Sequence, residues 1–193
     1  MILDPTYYIA LDGMAQVQIG LGHLRVARGY ERRAVDEVPL PQQEGLLGDL
    51  YRATGDRVHA AREYALIGVI EKLLAANGVR NDLDVALFDA DHGIGLPHAL
   101  ELARRGYAER PSIVGDDVVA WTLARNGKCG EAVRWSNRAL RLGTKDPLKL
   151  FHRGWIAACL GDRAEERTYY ERALALNPDF SVLWASTARK GTS

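Results

Sequence analysis

Asp89, Asp91, His92, His98 and Glu101 bring carboxylate and imidazole side chains close together, and these are the groups that hold divalent metals. Their spacing fits no ligand signature. His92 and His98 straddle a turn containing Gly93, Gly95 and Pro97, and the chain has no histidine pair four residues apart. At such a turn these side chains are expected to cap helix ends instead. Cys129 is placed at the start of a helix, where the dipole favours a thiolate, but no histidine lies close enough in sequence to activate it. A surface or half-buried structural thiol is the expectation. Neither Gly-x-Ser-x-Gly nor Gly-x-x-x-x-Gly-Lys occurs. The residues therefore predict no enzyme, no catalytic residue, no metal and no cofactor. The spacing that stands out is aromatic: Trp121 and Trp155 lie 34 residues apart.

The elements that position those rings repeat at the same interval. Gly127, Glu131, Ala132, Ala139 and Leu140 are echoed by Gly161, Glu165, Glu166, Ala173 and Leu174, a constant offset of 34 residues with one mismatch, Glu166 for Ala132. Asp146-Pro147 is a helix start, with Asp to cap free N–H groups and Pro at the first helical position, and Asp4-Pro5 is the same pair. Leu47, Gly48 and Tyr51 form a Leu-Gly-x-x-Tyr phrase, and Asn177-Pro178 closes the last unit. This pattern resembles the tetratricopeptide repeat, in which each unit is two antiparallel helices, A and B.

The resemblance implies an all-α fold: a right-handed α-solenoid of about five helix-turn-helix units plus a C-terminal capping helix, forming one domain over residues 1–193. The units span roughly 8–40, 41–79, 80–112, 113–146 and 147–180, with the cap at 181–190. Helix B of the second unit overruns through Leu66, Ile67, Val69, Ile70, Leu73 and Leu74 until Asn77-Gly78 ends it. In the third unit either Ala86 or Leu87 takes the small position of helix A. Gly154 stands where helix A must be small. Glu166 stands where an alanine belongs, which predicts a frayed or solvated contact in the last unit. The cap is expected as a helix from Phe180 to about Arg189.

In this family partners bind the concave groove through helix A. Carried over by register, the groove residues are Asp84, Phe88, Asp117, Trp121, Arg125, Phe151 and Trp155, an aromatic surface with charged neighbours. The expected function is a scaffold that binds a partner protein or peptide there. The alternative is a regulatory or substrate-recruiting module of a larger enzyme whose catalytic domain lies outside this chain. Self-association through Ile2, Leu3, Tyr7 and Tyr8 at the N-terminal end is a further expectation.

Composition narrows the partners. Lys and Arg number 25 and so do Asp and Glu, so no global field steers a polyanion. General nucleic-acid binding is disfavoured, although a local basic patch is compatible with this balance. Two cysteines are too few for a disulfide framework, and a reducing, cytoplasmic compartment is the simpler reading. No apolar run approaches 18 residues, so no membrane span or membrane partner is expected. The abrupt opening in helix-forming sequence is what a piece of a longer protein would show.

Overall fold

At four of the described helix starts a side chain satisfies free N–H groups. Asp56, Ser112, Asp146 and Asp162 each accept hydrogen bonds from the first turn that follows, and Pro41 and Pro147 occupy first-turn positions where no N–H is needed. The computed structural model describes residues 6–192. Its helices are α1 (Tyr8–Gly20), α2 (Leu24–Glu37), α3 (Pro41–Ala53), α4 (Arg57–Ala76), α5 (Asp82–His92), α6 (Leu96–Glu109), α7 (Ile113–Arg125), α8 (Cys129–Ala139), α9 (Pro147–Cys159), α10 (Arg163–Leu176) and α11 (Ala185–Gly191). No strand occurs among the described residues. The Asp4-Pro5 start and the Ile2 and Leu3 contacts lie outside them; Tyr7 is exposed and Tyr8 half-buried.

Consecutive helices pack in pairs, α1 on α2, α3 on α4, α5 on α6, α7 on α8 and α9 on α10, as a helical repeat requires. The turn glycines Gly22, Gly55, Gly127 and Gly161 all adopt positive φ, which the absence of a Cβ permits. The chain divides into two compact units, Met1–Arg80 with α1–α4 and Asn81–Ser193 with α5–α11. In unit 2, alternate helices also touch, α5 with α7 and α7 with α9.

One packing device occurs in both units. A Cβ at Gly48 would fall 2.3 Å from the Tyr64 ring, and one at Gly154 would fall 2.6 Å from the Tyr170 ring. In each case helix A carries glycine so that the tyrosine ring of helix B can come close to its backbone. Tyr170 is enclosed on its other side by Gly191 of α11. Glu166 does not sit at a frayed contact: it is buried, and its carboxylate accepts a hydrogen bond from Arg163 Nη1 at 2.7 Å one turn earlier. An i, i+3 guanidinium near the helix start is what lets a carboxylate occupy this place.

Three further expectations meet the structure differently. Helix α4 runs to Ala76 as its apolar residues predict, but Leu66, Val69 and Leu73 are exposed along its extension. The last helix begins at Ala185, not Phe180. Asn177 Oδ1 accepts the Asp179 N–H at 2.9 Å, and Ser181 Oγ accepts those of Leu183 and Trp184 at 3.2 Å, so side chains compete with helix formation over 177–184. Cys129 and Cys159 form a disulfide, where free thiols in a reducing compartment were expected. The start of α8 and the end of α9 are adjacent, which brings the two Cα atoms to 6.2 Å, a spacing a disulfide spans. Among the described residues no helix is long and apolar enough to cross a membrane.

Unit 1 has a small apolar cluster of Leu47, Tyr51 and Ala60, with Val35 and Tyr64 against it. The core of unit 2 is larger and centred on rings, with Trp121, Phe151 and Tyr170 among its buried members.

Candidate functional site

The register places the expected groove residues of unit 2 on α5, α7 and α9, and the structure sorts them by exposure. Trp121 and Phe151 are both 0% exposed, so the open aromatic surface expected at these two positions is absent. The reason is the segment after α10. Trp184 stacks on Phe151 with centroids 5.6 Å apart and meets Trp121 and Trp155 edge-on at 5.5 Å, while Phe180 lies 5.7 Å from Phe151. Burying these rings against one another removes a large apolar area from water, and edge and offset contacts add to that.

What stays accessible forms a rim. Trp155, Arg125 and Phe88 are half-buried, and Asp84 is exposed. The Arg125 guanidinium lies over three indoles, 5.3 Å from Trp121, 5.7 Å from Trp155 and 5.3 Å from Trp184. Such cation–π contacts hold the head in place. Burial lowers its pKa, and the Asp91 carboxylate opposes that shift. Its buried Nη1 has no acceptor among the described residues.

Asp91 anchors the rings from behind. Its Oδ1 accepts the indole N–H of Trp121 and of Trp184, each at 2.8 Å. Burial raises its pKa, while the nearby His152 and the two indole hydrogen bonds pull it down. Asp117, expected in the groove, is buried instead and accepts from or pairs with His152 Nδ1 at 3.0 Å. The His152 ring is fully buried and stacks on Trp121 at 4.2 Å and 12°. Asp117 Oδ1 and His152 Nε2 have no hydrogen-bond partner among the described residues.

On α5, Ala86 is fully buried and Leu87 half-buried, so Ala86 takes the small position. That brings Leu87, not Phe88, level with Trp121, and it moves Asp84 and Phe88 toward the rim. The ring of Phe88 lies 4.2 Å from that of His92, whose Nδ1 donates to the Phe88 carbonyl at 2.8 Å.

The constellation of Asp89, Asp91, His92, His98 and Glu101 is drawn apart. Asp91 faces the indoles and His92 bonds to backbone, while His98 makes an exposed ion pair with Glu101 at 3.5 Å. Burial raises the Asp89 carboxyl, with His98 and His92 opposing. No group of three metal-ligating side chains occurs among the described residues.

Sequence reasoning missed three contributors. Asp91 is expected from sequence to cap a helix end, Trp184 falls within the segment expected as the capping helix, and His152 is not singled out. The Asp91–Trp184 contact joins residues 93 apart, and no local spacing encodes it. His152 has one signal, its place beside Phe151 and one turn before Trp155 and Ile156. Neither a protein-family model nor a curated protein matches the sequence.

Proposed function

We propose that the chain is an interaction module of tetratricopeptide type, in which unit 2 receives a segment of a partner protein or peptide on the rim of Arg125, Trp155 and Phe88. The observation that carries this reading is a half-buried arginine seated over three indoles, two of them partly accessible. Tryptophan and arginine are the side chains most enriched where interfaces concentrate their energy, and rings already fixed by packing lose little freedom on binding. Asp84 at the edge supplies a charge for orientation.

The test is selection of peptides from a random library on the intact chain, followed by Trp155→Ala. Binding is expected to weaken by roughly tenfold or more, since truncating an interface tryptophan has effects of that order. The helical circular-dichroism signal should be unchanged. Selected peptides that bind the variant as tightly as the parent would remove the rim as the site.

A further inference from the structure

Unit 1 contains a cleft of about 630 Å³ between α2 and the turn that leads from α3 into α4, lined by Arg25, Arg28, Arg57 and residues 54–58. Helix α2 sets Arg25 and Arg28 one turn apart on the same face, and Arg57 opens α4 opposite them. Arg25 and Arg57 are exposed and have no ion-pair or hydrogen-bond partner among the described residues. Arg28 is held in place: its Nη1 donates to Thr54 Oγ1 at 2.8 Å, and its guanidinium lies 5.1 Å from the Tyr51 ring centroid.

The backbone adds donors to the same place. Gly55, at φ +92, turns the chain so that α4 begins at the cleft. The first N–H groups of a helix have no partner within it. Here His59 N donates to Asp56 Oδ1 and Ala60 N to the Asp56 carbonyl, which leaves the N–H groups of Arg57 and Val58. The one resident acid, Asp56, is already engaged by His59, whose Nδ1 lies 2.8 Å from Oδ2.

We propose that this cleft binds a phosphate monoester. Three guanidinium groups against one carboxylate leave two positive charges unmatched, in a chain whose net charge is zero. A phosphate monoester carries a charge of about −1.5 to −2 at neutral pH and three acceptor oxygens, whereas a carboxylate would neutralise half of the excess. Arginine forks match the geometry of phosphate oxygens, and arginine clusters are a recurrent means of reading phosphorylated segments. The cleft is wider than the phosphate alone needs, so the group is expected to arrive on a larger body. This inference is independent of the rim in unit 2.

The experiment is calorimetric titration of the intact chain at low salt with a phosphoserine peptide, its unphosphorylated twin and inorganic phosphate. The phosphopeptide is expected to bind and the twin not to. The double variant Arg25→Ala/Arg57→Ala should weaken binding roughly tenfold or more, as loss of charge-assisted hydrogen bonds does. Its melting temperature should not change, because neither side chain has a partner to lose. Asp56→Asn keeps a capping side chain but removes the competing charge, and should tighten binding. Inorganic phosphate bound as tightly as the peptide supports the site and identifies the free anion as its occupant; a tighter peptide identifies a phosphorylated side chain. Absence of binding to both phosphorylated probes, or an affinity unaffected by the double variant, overturns the proposal.

Discussion

In unit 1 two buried glutamates, Glu31 and Glu44, lie against other acids, and in unit 2 two buried aspartates, Asp82 and Asp116, lie against arginines. Glu31 and Glu44 are 0% and 1% exposed; Glu31 reaches Asp12, and Glu44 reaches Glu63. Both pairs are 19 residues apart in sequence and each joins the two helices of one pair. In unit 2, Asp82 accepts two hydrogen bonds from Arg105, at 2.6 and 2.9 Å, and Asp116 is paired with Arg138 at 3.0 Å and Arg141 at 2.6 Å. Those arginines keep their heads about half exposed while the carboxylates are buried, so the pair straddles the surface and avoids part of the desolvation cost. Two carboxyls in contact have no such exit. One of them must keep a proton to donate. For these four acids the problem of burial is therefore solved by a proton at Glu31 and Glu44 and by a fixed cation at Asp82 and Asp116.

The largest expected consequence is a pH dependence that belongs to unit 1. Burial, then the neighbouring Asp12 and Glu44, raise Glu31 to about 8, and burial, then Glu63 and Asp36, raise Glu44 to about 7, against an ordinary 4.5. The folded state therefore holds protons that the unfolded chain releases. Stability from these groups is complete below about pH 4.5, falls as pH rises, and is gone above the folded values. Each group contributes about 1.4 kcal/mol per pH unit while it titrates. Melting temperature should fall between pH 5.5 and 8.5, and Glu31→Gln with Glu44→Gln should flatten the curve. A wild-type curve that is flat or rises over that range would sink the proton-shared pairs.

The next effect contrasts one repeat position in the two units. Where unit 2 has Trp121 on helix A, unit 1 has Asp49, which accepts the Tyr64 hydroxyl at 2.6 Å. Trp121→Ala should cost about 3–5 kcal/mol, since a fully buried ring leaves a cavity. It also takes one of the two indole donors from Asp91. Asp49→Ala removes one hydrogen-bond acceptor and should cost about 1–2 kcal/mol. Urea unfolding of the two variants measures both. Equal costs would mean that the ring cluster is not the core of unit 2.

These contrasts also mark how far the sequence reached. Turn glycines and the glycine–tyrosine contacts of helix pairs are local, so Gly55, Gly161, Gly48 and Gly154 could be placed before any coordinates. The same register told which face of α7 carries Trp121, but not what covers that face. Trp184 covers it because Asn177 and Ser181 hold the preceding segment out of helix, and the indole then reaches Asp91 across 93 residues. The disulfide was hidden for a related reason: Cys129 and Cys159 hold different repeat positions, and only the seam between α8 and α9 joins them. Buried acids were the least legible, because a glutamate on a helix reads as solvent-facing until its neighbours are known.

An effect no larger than that of Asp49→Ala tests the comparison most directly, because its sign should differ between the units. Asp116→Asn keeps the shape of the side chain and removes the charge that Arg138 and Arg141 face, while both guanidiniums still reach solvent. The cost should be about 1–2 kcal/mol, less than for a wholly buried pair, and it should shrink as salt screens the exposed heads. Glu44→Gln at pH 8.5 makes the same chemical change in unit 1, but there it removes an ionised group that burial and Glu63 oppose. That variant should be more stable than the parent chain at the same pH. Urea midpoints measured side by side at pH 8.5 decide it: shifts in opposite directions support the two solutions, and shifts in the same direction would mean that the acids of both units are held alike.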